Sequence, residues 1–153
     1  LDSLILSSLS DGISNIIIPA ADINDLPKAV ALCEKYPELY FSVGIHPYHI
    51  DEFCEQTLEK YINHPKCVAV GECGLDYYRL PEDEDEKKAN IELQKEVFIA
   101  QINLAKKYKK PLIIHIRDAS NDSKAILLEN NAGNVGGVLH CFNADEQLLS
   151  LAK

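Results

Sequence analysis

The chain lacks a C-x-x-C pair, a glycine-rich phosphate turn, a long apolar run and any surplus of positive charge, and each absence removes a class of protein. Its five cysteines, Cys33, Cys54, Cys67, Cys73 and Cys141, form an odd set. That argues against both a disulfide framework and a structural zinc knuckle. No apolar stretch approaches the roughly 20 residues of a membrane helix, and Leu1-Asp2-Ser3 offers neither the basic region nor the cleavage site of an export signal. A soluble protein of the reducing cytoplasm, with no membrane partner, is the expectation. The net charge of -9 and pI of about 4.9 have the wrong sign for broad, salt-dependent adhesion to nucleic acid. Any phosphate chemistry must therefore be local.

What is present is a core and an alternation. With 153 residues, 46% of them hydrophobic, a sizeable interior can be buried. Short, largely β-branched runs at 14–19, 39–45, 67–70, 112–114 and 137–139 read as strands buried on both faces. Between them the spacing predicts helices over 25–36, 50–62, 84–108 and 118–130. The long third helix carries an apolar stripe through Ile91, Val97, Phe98, Ile102, Leu104 and Ala105. Its lysine-rich end (Lys106, Lys107, Lys109, Lys110) complements the macrodipole before Pro111. The acidic run at 81–86 reads as a solvated loop and helix start rather than a metal site.

Both ends read as cut through secondary structure. Leu1, Leu4, Ile5 and Leu9 share a helical face that stops at Gly12. Asn143-Ala144-Asp145-Glu146 resembles a capping box with Leu148, Leu149 and Ala152 as the apolar face behind it. Five βα units in 153 residues scale to roughly 245 for eight, near the ~250 of a (β/α)₈ barrel. The expected fold is thus a TIM-type α/β barrel in part, strands 2 to 6, as one domain over 1–153. A doubly wound sheet of flavodoxin type is the alternative, but Pro19-Ala20-Ala21-Asp22 stands where its glycine-rich turn belongs.

Four of the five strands end in an ionisable residue: His46, Glu72, His115 and His140. Strand carboxyl ends form the active face of a parallel barrel, so these side chains should converge. One histidine in an apolar run is more often a satisfied core residue; the same placement on successive strands argues otherwise. Two histidines and a carboxylate make a minimal metal site, since imidazole suits zinc and other transition metals and Glu can bridge two ions. Such a site lowers the pKa of bound water towards about 7, which supports hydrolysis without a serine or cysteine nucleophile.

Four blocks carry a resemblance. They are Gly44-Ile45-His46-Pro47; Gly71-Glu72-Cys73-Gly74-Leu75-Asp76-Tyr77-Tyr78; Gln94, Phe98, Gln101, Leu104 and Ala105 leading into 111–119; and Gly137-Val138-Leu139-His140-Cys141-Phe142. In this order they resemble the TatD-like deoxyribonucleases of the metal-dependent amidohydrolase superfamily, over nearly the whole chain. The resemblance implies hydrolysis of DNA phosphodiesters, at single strands or ends, with two divalent ions (magnesium, manganese or zinc). It implies that Glu72 is the catalytic bridge between those ions, that His115 and His140 complete the second, and that His46 lines the pocket on the substrate side. The family's first ion also takes an H-x-H pair and a late Asp that this sequence does not contain, so half the metal site is expected to be missing. Little nuclease activity is expected of this chain alone.

Arg117 could clamp a substrate phosphate or make a structural ion pair with Asp76 or Asp118. His49 and His64 read as surface residues, and Cys73 and Cys141 as small core fillers with nothing basic beside them. Two other readings stay open: a small-molecule ester, lactone or amide hydrolase on the same barrel, and a non-catalytic fragment or binding module.

Overall fold

The apolar runs become five strands: β1 (Ile16–Ile18), β2 (Leu39–Val43), β3 (Cys67–Asp76), β4 (Leu112–Arg117) and β5 (Gly137–Leu139). The structure is a computed structural model that describes residues 1–142 and 145–151. Every strand pair is parallel, and the order across the sheet is the order along the chain. A doubly wound sheet reverses its strand order at a switch point; this one has none and curls as a half-barrel. The expected partial TIM-type barrel is what forms.

Helices α1 (Asp2–Ser10), α2 (Leu26–Lys35), α3 (Glu55–Ile62), α4 (Glu84–Tyr108), α5 (Ser120–Glu129) and α6 (Glu146–Leu149) complete the chain. Among the described residues no helix is long and apolar enough to cross a membrane. The α4 boundaries follow from its ends. Asp83 caps it by accepting from the N–H groups of Asp85 and Glu86 at 3.0 Å each, and acidic residues fill the first turn where the dipole favours them. Lys109 closes it in the left-handed conformation. Its inner face meets the sheet in a core where Leu26, Phe41, Leu58, Phe98, Ile102 and Leu112 are all buried. Each such side chain contributes roughly 1.5–3 kcal/mol relative to exposure.

Four expectations are corrected. The helix expected over 50–62 is two pieces, a 3-10 turn over Pro47–Glu52 and α3, because Phe53 and Cys54 are extended between them. The third strand does not stop at Val70 but runs on to Asp76. On α1 only Ile5 is buried, whereas Leu1 and Leu4 are exposed. The cap of α6 is Asp145, which accepts from Gln147 N–H at 2.8 Å; Asn143, Ala144 and Ala152 lie outside the described residues.

Candidate active site

The carboxyl ends of β2 to β5 gather the expected side chains. The register between β3 and β4 slips between Val70 and Cys73, where three residues of β3 span two of β4. A bulge of this kind re-aims side chains. Glu72 lies within it; beyond it Gly74 and Asp76 alternate onto one face, and Gly74 is paired with His115. Gly74 adopts φ +143°, and a Cβ there would collide with the His115 backbone carbonyl. The glycine lets β4 approach closely enough for His115 to reach both carboxylates.

His115 lies between them, Nδ1 3.1 Å from Glu72 Oε1 and Nε2 2.8 Å from Asp76 Oδ2. His140 Nε2 is 3.9 Å from the same Glu72 oxygen. The His46 ring packs against His115 with centroids 4.4 Å apart. Nitrogen and oxygen donors of His46, Glu72 and His115 all lie within 4.8 Å of one another. The hydrogen bond from His115 holds the Glu72 carboxyl below its usual range in spite of burial. Burial would raise Asp76, but bonds from His115, Tyr48 and the Tyr78 backbone outweigh it and the net shift is downward. For His115 burial acts to lower the pKa, and the two carboxylates reverse it to a net rise. His46 is lowered to about 4, by burial first and by the neighbouring His115 second.

Two buried glutamines of α4 fix the backbone beneath this cluster. Gln101 accepts from Ile45 N–H at 2.8 Å and donates to Ile45 C=O at 3.0 Å, immediately before His46. Gln94, two helical turns earlier, does the same for Asp76, at 2.8 and 3.0 Å. Strand ends leave backbone groups unpaired, and buried ones must find partners. Here one helix supplies them to two strands.

A family model described as TatD related DNase matches residues 2–152. The chain belongs to the TatD family. It is 35% identical over 151 residues to the Bacillus subtilis metal-dependent hydrolase YabD, covering 97% of this chain and 56% of that protein. It is 27% identical to the Salmonella typhimurium protein named 3'-5' ssDNA/RNA exonuclease TatD, over 95% of this chain and 55% of the relative. The crystal structure of YJJV, a TatD homolog from Escherichia coli, superposes with a TM-score of 0.82 at 28% identity, over 99% of this chain and 59% of that one. The chain thus spans under three-fifths of the length of each of these proteins.

Within this TatD fold the sequence-predicted residues fall as follows. Glu72, His115 and His46 are half-buried neighbours; His140 stands at the edge, more exposed. Arg117 makes no ion pair with Asp76 or Asp118 among the described residues and lies over Tyr78 instead. His64 is half-buried at the surface: it packs on Phe41 with centroids 5.4 Å apart, its Nδ1 accepts from Lys66 N–H, and its Nε2 is 4.0 Å from exposed Glu34. His49 is half-exposed and joins Asp22 and Glu52 in a second group of metal-type donors on the rim. Cys73 is a buried filler, whereas Cys141 is exposed with its Sγ 3.3 Å from His140 Nε2. All five cysteines are free. The roles of Asp76, Gln94 and Gln101 were missed by the sequence reasoning. Two amides seven apart on the buried face of a long helix were the available signal.

Proposed function

We propose that the protein is a metal-dependent hydrolase that cleaves DNA phosphodiesters at single strands or ends, in the manner of an exonuclease. The observation that carries this is the set Glu72 at the β3 bulge, His115 in the second half of β4 and His140 just past β5, side by side on three adjacent parallel strands. The TatD relative named as a 3'-5' ssDNA/RNA exonuclease supports the substrate class.

The donors suit a divalent ion, because half-buried imidazole and carboxylate groups converge with no lysine or arginine paired into them among the described residues. Glu72 and His115 of that close group would hold it together with the more exposed His140, whose Nε2 is 3.9 Å from Glu72 Oε1; magnesium, manganese and zinc are the candidates. A bound ion supplies activation of water and polarisation of a phosphoryl oxygen.

The remaining roles belong to the protein. Asp76 accepts from His115 Nε2 and leaves Nδ1 facing Glu72, the outer carboxylate arrangement that orients ligating histidines. His46 Nδ1 accepts from Tyr48 N–H at 3.1 Å, so the proton of the neutral ring sits on Nε2. The depressed pKa keeps that ring neutral. With Nδ1 taken up by Tyr48, the His46 Nε2–H would donate to a substrate oxygen. Arg117, two residues beyond His115 on the same strand face, is placed to hold a phosphate.

The net charge of -9 favours a second reading, a smaller and less charged ester, lactone or amide substrate. Release of nucleotides from labelled single-stranded DNA with magnesium, manganese or zinc, beside ester and lactone panels, separates the two when measured on a chain that also carries the H-x-H pair and late Asp. Glu72→Ala should lower metal-dependent turnover by more than about 100-fold. Activity that survives a chelator, or an active Glu72→Ala variant, sinks the metal assignment.

A further inference from the structure

Arg79 and Arg117 are the only arginines in the chain, which carries 24 acidic side chains. Among the described residues neither one is in an ion pair. Each lies instead over an exposed tyrosine: the Arg79 guanidinium carbon is 5.6 Å from the centre of the Tyr48 ring, and that of Arg117 is 3.5 Å from Tyr78. Both pairs are seated on the candidate centre. The Tyr48 ring meets His46 edge-on at 4.8 Å, and His46 packs on His115. The Tyr78 N–H donates to Asp76 Oδ1 at 3.0 Å, and the other oxygen of Asp76 holds His115. Tyr48 and Tyr78 remain 42% and 57% exposed, so each ring keeps open surface.

We propose that Tyr48 with Arg79 and Tyr78 with Arg117 form a rim that takes nucleotides of a single strand, the rings stacking on bases and the guanidiniums holding phosphates. The proposal rests on the phosphodiesterase reading above and assigns the surface that would choose its substrate. A guanidinium lying over a ring keeps its N–H edges free for a phosphate, and it restrains the ring that a base must meet. Aromatic faces accept any base, because every base has a π-face. A duplex keeps its bases stacked on each other, so only a single strand or a frayed end can offer them. An anion without bases would need the arginines and gain nothing from the rings. Stacking also suits so acidic a chain, since it does not depend on counterion release as a basic groove does.

The test is fluorescence anisotropy at low ionic strength, with chelator present to prevent turnover. The probes are labelled oligodeoxyuridylate, oligouridylate and a matching abasic strand; inorganic phosphate serves as competitor. Either uridylate strand should bind at least about tenfold tighter than the abasic one, and the comparison between the two uridylates, which differ only at the 2′ position, separates DNA from RNA. Tyr48→Ala and Tyr78→Ala should each remove most of that advantage, whereas Tyr78→Phe should keep it. Should an alanine variant not fold, the wild-type contrast between based and abasic strands still decides. Failure of the hydrolase reading shows elsewhere, as no metal-dependent cleavage of any strand by a chain that also carries the H-x-H pair and late Asp. Equal binding of the abasic strand, complete displacement by phosphate alone, or no binding at all overturns the rim.

Discussion

At the residue scale the centre is governed by a histidine held between two carboxylates. Asp76 is fully buried, and its position is set by Gln94 on the backbone side and by the Tyr78 N–H on the side chain. Removing the carboxylate frees the His115 ring to turn and to place its proton on either nitrogen. Asp76→Ala is therefore expected to weaken zinc binding roughly 10–100-fold. Titration calorimetry on the folded variant checks it, and unchanged affinity would count against a positioning role. Glu72, His115, His46 and His140 were legible in the sequence because each follows an apolar run. Asp76 was not, because it sits past a bulge that lengthens β3 and shifts which residues share a face.

At the element scale α4 does more than cover the sheet. Gln94 and Gln101 terminate two strands by pairing with backbone groups that have no strand partner. Gln101→Leu keeps the volume and the burial but strands the N–H and C=O of Ile45. The expected loss is about 2–4 kcal/mol, from two buried backbone groups left unsatisfied. Chemical denaturation measures it, and a loss well under 1 kcal/mol would mean that water or a backbone shift replaces the amide. A second tie joins α5 to α4 and to the residue after β3: Asp122 accepts from Lys95 at 2.9 Å and from the Tyr77 hydroxyl at 2.8 Å. Lys95, then Tyr77, hold the Asp122 carboxyl below its usual range. A depressed carboxylate contributes stability above its unfolded pKa and loses it as pH falls through the folded value. Asp122→Asn should thus destabilise at neutral pH, by less than about 1 kcal/mol for so exposed a pair. The difference from wild type should vanish in acid, as read by melting temperature against pH.

At the scale of the whole molecule the sheet is an arc with β1 and β5 at its edges. Ile17 on one edge and Val138 on the other are about half exposed, as are several leucines of α1. Unpaired strand edges flanked by exposed apolar groups invite pairing with another copy. The 153-residue chain is expected to self-associate, with Val138→Lys reducing the effect. Sedimentation that finds a single monomer at high concentration would refute this. Alternation of strand and helix, the parallel barrel order and the histidines and glutamate that follow apolar runs can be read along the chain, because apolar runs, turn residues and caps act locally. Which of those groups touch follows from packing alone. The β3 bulge, the close approach at Gly74, the glutamine clamps and the seating of Arg79 and Arg117 over tyrosines all depend on register and on contacts between residues far apart in the chain. No local pattern encodes a contact that exists only once β2, β3, β4 and α4 have packed.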